Sequence, residues 1–157
     1  QFYELFERRD PARVIALLED VRIRDAARVA GSFPHELSGG MQQRVMIALA
    51  LAKRARLLIA DEPTTALDAT VQLEVLGLLS ELKRTRGLSI LLVTHDLWAA
   101  RETADRILVL RRGEVVEELR RENYDRPVQP YTKALLSAAL LGGRPKAPIP
   151  VEEGAQS

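Results

Sequence analysis

The sequence predicts an α/β fold whose sheet is parallel at least at its centre, and three observations predict it. Leu57-Leu58-Ile59-Ala60 and Ser89–Val93 are short, unbroken apolar runs, the pattern of strands covered on both faces. Amphipathic helical spacing precedes, separates and follows them. The resulting order of strand, helix, strand, helix, strand is that of an α/β domain.

The elements follow in chain order. Asp10-Pro11 starts a helix, with an Asp cap and Pro at the first helical position. Val14, Ile15, Leu17, Leu18 and Val21 recur at helical spacing and carry it to about Val21. A polar stretch through Arg22–Arg28 leads to a loop at Gly31-Ser32-Phe33-Pro34. Ser38-Gly39-Gly40 opens a second helix, from about Met41 to Arg54, apolar on most sides and so expected to be buried. After the first strand comes a helix from about Asp68 to Arg84, with a stripe of Val71, Val75, Leu78, Leu79 and Leu82. Gly87 stops it. After the second strand, Asp96 caps a helix running to about Thr103. Ile107–Leu110 and Glu114–Val116 read as two strands around a turn at Arg111-Arg112-Gly113. Arg120–Asp125 is charged, a short helix is expected over Thr132–Leu141, and Gly142–Ser157 is a Pro/Gly-rich tail.

Composition narrows the classes of function. The chain has 157 residues, with 23 Lys+Arg against 22 Asp+Glu and no Cys. Balanced charge argues against a phosphate-tracking nucleic-acid domain. Without Cys there is no disulfide framework, thiolate zinc site or iron–sulfur ligand set. The longest unbroken apolar run, Val45–Ala52, has eight residues, far short of a membrane span. No charged-then-apolar leader opens the chain, so the expectation is a soluble, intracellular protein. It begins Gln1-Phe2-Tyr3, and its methionines are Met41 and Met46, which suggests a piece of something longer.

Three groups of residues could carry chemistry. Asp61 and Glu62 follow the first strand, at the carboxyl end where open α/β sheets bind ligands. One of two adjacent carboxylates could hold a hydrated Mg²⁺ while the other takes a proton from attacking water; the bland alternative is an acidic, solvated turn. His95 follows the second strand and could polarise a phosphate or orient a nucleophile, or simply serve as a polar residue at a helix start. Ser38-Gly39-Gly40 could let backbone N–H groups and the helix dipole approach a phosphate, or be a flexible cap. Each signal is weak alone; their combination and order make them specific.

LSGGMQQR (Leu37–Arg44), LLIADEPTTALD (Leu57–Asp68) and LLVTHD (Leu91–Asp96) together resemble the ATP-binding subunits of ABC transporters. The matches cover the signature sequence, Walker B, D-loop and switch histidine in family order. PHELSGGMQQRVMIALALA, the run Pro130–Leu136 and Ala147-Pro148-Ile149-Pro150 resemble the dipeptide/oligopeptide importer branch. In that branch the extension usually reads His-Pro-Tyr where Gln129 stands, and Val151 replaces a common Gly.

The resemblance implies the C-terminal part of a P-loop NTPase. Residues 1–36 would end a helical subdomain that touches membrane subunits, and 37–118 would form the signature helix and half of the ATPase core. Residues 119–157 would be the importer-type extension. It further implies that Asp61 holds Mg²⁺ through water, Glu62 is the general base and His95 contacts the γ-phosphate. Ser38, Gly39 and Gly40 would bind ATP held by the opposite subunit, and Asp68 would lie across that dimer interface. A second ATPase subunit, transmembrane permease subunits and, indirectly, a solute-binding protein are the implied partners, at the cytoplasmic face of the membrane.

A Walker A loop, G-x-x-x-x-G-K-[ST], begins at none of the nine glycines. Neither the aromatic stacking residue nor the glutamine loop is identifiable. The expectation is therefore half of one ATP site plus the signature face for a partner's, in a fragment inactive alone. Rival expectations are a nickel or other metal-chelate importer ATPase, a soluble ABC ATPase outside transport, and a non-catalytic interaction module.

Overall fold

The computed structural model describes residues 10–141. The expected tail, with Ala147–Pro150 and Val151, lies outside them, as does the chain start. The described chain forms two compact units, one ending at Val93 and the other beginning at Thr94.

The first unit opens with α1 (Pro11–Asp20), capped by the Asp10 side chain, which accepts from Arg13 N at 3.2 Å. A helix, α2 (Ala26–Gly31), begins within the stretch read as polar and runs to the Gly31 read as the start of a loop. Ala26, Val29 and Ala30 are buried there, an apolar face too short and too small-sided to register against the surrounding arginines. A 3₁₀ turn at Pro34–Glu36 leads into α3 (Gly39–Ala52), two residues earlier than predicted. Then come β1 (Leu57–Asp61), α4 (Ala69–Arg86) and β2 (Ser89–Val93). Asp68 caps α4, and Gly87 ends it at φ +60°, the left-handed conformation that glycine adopts without a Cβ penalty.

β1 and β2 pair in parallel, Leu57 opposite Ser89 through Asp61 opposite Val93. The unit's core lies among the helices, where Val14, Leu18, Val29, Ile47, Val75 and Leu78 pack together, with Leu58 and Ile90 of the strands against them. Surface ion pairs Arg22–Glu81 and Arg86–Asp20, each 2.5 Å, add little beside that burial.

One expectation is corrected. The strands are not covered on both faces: Ile59 is 63% exposed and Leu91, its register partner, 50%. Leu57 and Val93 share that bare side. Unbroken apolarity recorded a sheet face that has no cover among the described residues.

The second unit contains α5 (Leu97–Thr103), the antiparallel strands β3 (Arg106–Arg111) and β4 (Glu114–Arg120), a 3₁₀ turn at Arg121–Asn123 and α6 (Pro130–Leu141). The hairpin turns through Arg112 and Gly113, both at positive φ, which matches the twist of the flanking strands. β4 runs four residues beyond its expected end. Glu117 and Glu118 are strand residues that the sequence pattern disguises as loop, and Glu118, opposite Leu108, pairs diagonally with Arg106 on the neighbouring strand at 3.7 Å. Val109, Leu119 and Tyr124 form a small core against Tyr131 and Leu135 of α6.

Glu117 also fixes the entry of α6, accepting from Val128 N at 2.7 Å and Gln129 N at 3.3 Å. Desolvation pushes its carboxyl up. The Thr132 hydroxyl, which falls short of a fully formed hydrogen bond, those two N–H groups and the Lys133 charge outweigh desolvation and hold it below the ordinary value.

Candidate functional site

The carboxyl end of β1 is built by a forced turn. Asp61 is the last paired residue, opposite Val93. Glu62 then adopts φ +44°, a left-handed conformation costing roughly 1–2 kcal/mol for a residue with a Cβ. The Glu62 N–H donates to Val93 O at 2.8 Å, extending the ladder one step past the strand. Thr65 N closes the turn on Glu62 O at 3.3 Å, and the Thr65 hydroxyl donates to Glu62 Oε2 at 2.8 Å. Both acids are exposed, whereas Pro63 and Thr64 behind them are buried. The turn thus presents two solvent-accessible carboxylates from a fixed backbone.

Ser38 stands in extended conformation at the start of α3, and its Oγ accepts from Met41 N at 3.4 Å. The first N–H groups of α3 lack intrahelical acceptors, which suits them to an anion. The two glycines have a second reason to be glycine. A Cβ on Gly40 would overlap Val71 Cγ1 at the start of α4, and one on Gly39 would lie 3.3 Å from Leu67 Cδ2. Ser38–Gly40 is therefore seated on the segment that carries Asp68. The Asp68 carboxylate caps α4, accepting from Thr70 N at 3.1 Å and Val71 N at 3.0 Å.

Other residues of the same motif hold it in place. Gln42 donates from Nε2 to Pro34 O at 2.7 Å and Leu37 O at 3.1 Å, tying down the preceding loop. Arg44 is buried, donating to Val21 O at 3.1 Å and Arg22 O at 3.4 Å and pairing with Glu74 at 2.6 Å. Sequence reasoning assigned no role to Thr65, Gln42 or Arg44. A lone cation inside the apolar stretch of α3 was the available signal for Arg44, because a buried guanidinium needs partners.

His95 belongs to the second unit, exposed in the turn between β2 and α5. The turn is fixed by the Asp96 N–H, which donates to Thr94 Oγ1 at 2.9 Å. Asp96 Oδ1 accepts from Trp98 N at 3.0 Å and Ala99 N at 3.2 Å, the cap that the sequence predicts. The first unit thus brings Ser38–Gly40 beside the Leu67–Val71 segment and places Asp61 and Glu62 at the end of its sheet. Among the described residues, no group of three or more His, Cys, Asp or Glu could hold a metal ion. A single exposed carboxylate such as Asp61 fits a hydrated Mg²⁺, which takes most of its ligands from water and phosphate oxygens. No helix of the described residues is long and apolar enough to cross a membrane.

Residues 1–65 match the family model described as ABC transporter. The chain is 50% identical over 134 residues to the peptidoglycan transport ATP-binding protein YejF of Agrobacterium fabrum, covering 85% of this chain and 24% of that protein. It is 47% identical over 126 residues to the oligopeptide transport ATP-binding protein OppD of Lactococcus lactis subsp. cremoris, covering 80% and 37%. The chain therefore spans about a quarter to two fifths of the length of these curated relatives. Among solved structures, the ADP- and phosphate-bound, post-hydrolysis dimer of the ATP-binding cassette MJ0796 matches with TM-score 0.61 and 38% identity. That match covers 70% of this chain and 46% of that one. An inward-facing putative metal-chelate type ABC transporter matches with TM-score 0.68 and 26% identity, covering 80% and 48%.

Proposed function

We propose that this chain, which belongs to the ABC transporter family and has the α/β fold of its ATP-binding cassettes, is part of the ATP-hydrolysing subunit of a di- or oligopeptide importer. The observation that carries the reading is the near-50% identity to peptide-transport ATP-binding proteins over four fifths of the chain. The exposed Asp61–Glu62 pair at the end of a parallel strand supports it.

In this mechanism Asp61 would hold Mg²⁺ through water, and the bound ion would supply charge neutralisation for the phosphates. Glu62 accepts a proton from the attacking water, and its forced backbone fixes where that carboxylate stands. His95 contacts the γ-phosphate and stabilises charge as it develops. Ser38, Gly39 and Gly40 offer a hydroxyl and unpaired N–H groups to ATP carried by a second ATPase subunit, across an interface that Asp68 shares. Residues 1–36 end the helical subdomain, 37–118 form the signature helix and part of the ATPase core, and 119–157 are an importer-type extension. The partners are the second ATPase, transmembrane permease subunits at the cytoplasmic face and, through them, a solute-binding protein; nucleic acid is not among them.

The phosphate-cradling Walker A loop is not within these residues, so the 157-residue chain alone should hydrolyse no ATP above background in a phosphate-release assay. Mg²⁺-dependent turnover by that chain would overturn the division of the site. In a cassette that also supplies Walker A, Glu62→Gln should keep ATP binding and lose about 100-fold or more in turnover. Undiminished hydrolysis there would remove Glu62 as the base. Ser38→Arg should impair hydrolysis while sparing binding to the mutant subunit's own nucleotide. A metal-chelate cargo is the second reading, favoured by the likeness to a putative metal-chelate transporter; its lower identity, 26%, ranks it second. Uptake of labelled dipeptide against labelled metal chelate, with the permease present, separates the two.

A further inference from the structure

Two segments that the proposed function turns toward a partner subunit, Ser38–Gly40 and Asp68, are joined within this chain by one side chain. Val71 sits in the first turn of α4, partly buried against the core of the first unit. Its backbone N–H is held by Asp68 Oδ1 at 3.0 Å. Its side chain occupies the space that a Cβ on Gly40 would need, with Cγ1 in overlap and Cβ and Cγ2 at 3.8 and 3.9 Å from that position. A valine in a helix has essentially one rotamer, so it cannot swing away cheaply. Leu67, on the other side of Asp68, makes a looser approach to Gly39, the end of its side chain lying 3.3 Å from where a Cβ would stand. Ser38 in turn is bound to α3 through Met41 N to its Oγ and Gln42 N to its backbone oxygen at 2.9 Å.

We propose that Val71 is a positioning residue that locks the Ser38–Gly40 turn to the Asp68 cap, so that the two segments shift only together. The structural lock stands on packing alone. Its consequence rests on the proposed function: a displacement of Asp68 at a subunit interface reaches the N–H groups at Gly39 and Gly40 without passing through the nucleotide.

The lock is tested on the 157-residue chain by thermal unfolding of Gly40→Ala, Val71→Ala and the double variant. In a helix Ala is intrinsically better than Gly, so an unobstructed Gly40→Ala would stabilise. The expected result is the opposite, a melting temperature lowered by several degrees. Val71→Ala should lower it in the wild-type background and raise it in the Gly40→Ala background. Additive losses would overturn the proposal. If Gly40→Ala does not fold, hydrogen exchange on Val71→Ala decides: the Met41 and Gln42 amides should exchange about tenfold faster, and unchanged rates overturn the lock.

In a cassette with Walker A, Val71→Ala should lower kcat for ATP at unchanged KM, and Val71→Ile, which keeps the branch, should restore it. An unchanged kcat, or a loss that Ile does not rescue, overturns the functional consequence. Full turnover in Glu62→Gln, by contrast, would refute the proposed function while leaving the unfolding results standing, so the two failures are distinguishable.

Discussion

The parallel pair β1–β2 and the hairpin β3–β4 are both two-stranded, yet their surroundings differ in kind. The hairpin is local: its strands are joined by two residues, carry charges on the ladder, and need only a small cluster around Val109, Leu119 and Tyr124. The parallel pair is joined through α4, backed by a core from four helices, and bare and apolar on its other side. The candidate acids stand at the end of the pair with the larger backing. A forced turn such as that of Glu62 persists only where surrounding structure over-determines it, and the ladder bond to Val93 supplies that constraint.

Several substitutions can break or sharpen this contrast. If the first unit is held by the helices behind its sheet, Leu78→Ala, at a fully buried position, should cost about 3 kcal/mol in urea unfolding. Arg44→Met should cost about 2 kcal/mol, because it strands the carbonyls of Val21 and Arg22 that the buried guanidinium serves. In the hairpin unit the corresponding tie is Glu117 at the start of α6, and it should be weaker and acid-sensitive. Its folded value is depressed, so the stabilisation is present above the ordinary value of 4.5 and is lost as the pH falls through the folded value. Glu117→Gln should therefore cost under about 1 kcal/mol at neutral pH and flatten the melting temperature below pH 4.5 relative to the wild type. The smallest effect belongs to the bare sheet face: Ile59→Thr should change stability by less than about 0.5 kcal/mol and reduce self-association seen by light scattering. A large loss of stability there would mean that the face is packed in solution.

Much of this was legible in the sequence, for reasons that differ by element. Asp10 and Asp96 are found as the predicted helix caps, and Ser38 and Asp68, read only as standing at helix starts, cap α3 and α4, because a side-chain acceptor before a periodic run has a local geometry that needs no tertiary context. β2 and α5 have the predicted bounds. What escaped depends on distant partners. α2 is short and buries small side chains, β4 hides behind charges that pair across a ladder, and the open face of β1–β2 cannot be inferred from apolarity alone. At the candidate site the acids, the helix start and the histidine were legible as residues. Thr65 as an anchor, Arg44 as a buried tie and Val71 as the reason Gly40 has no side chain were not, because each is a relation between segments far apart in the chain or a contact set by a turn.

The left-handed backbone at Glu62 carries a last consequence. At φ +44° glycine or asparagine would sit more comfortably than glutamate, so replacing Glu62 with either should make the isolated chain harder to unfold. The same exchange would discard the carboxylate on which the proposed chemistry depends. Selection for durability and selection for turnover pull this position in opposite directions, and a screen for heat-resistant variants would be expected to collect inactive ones here.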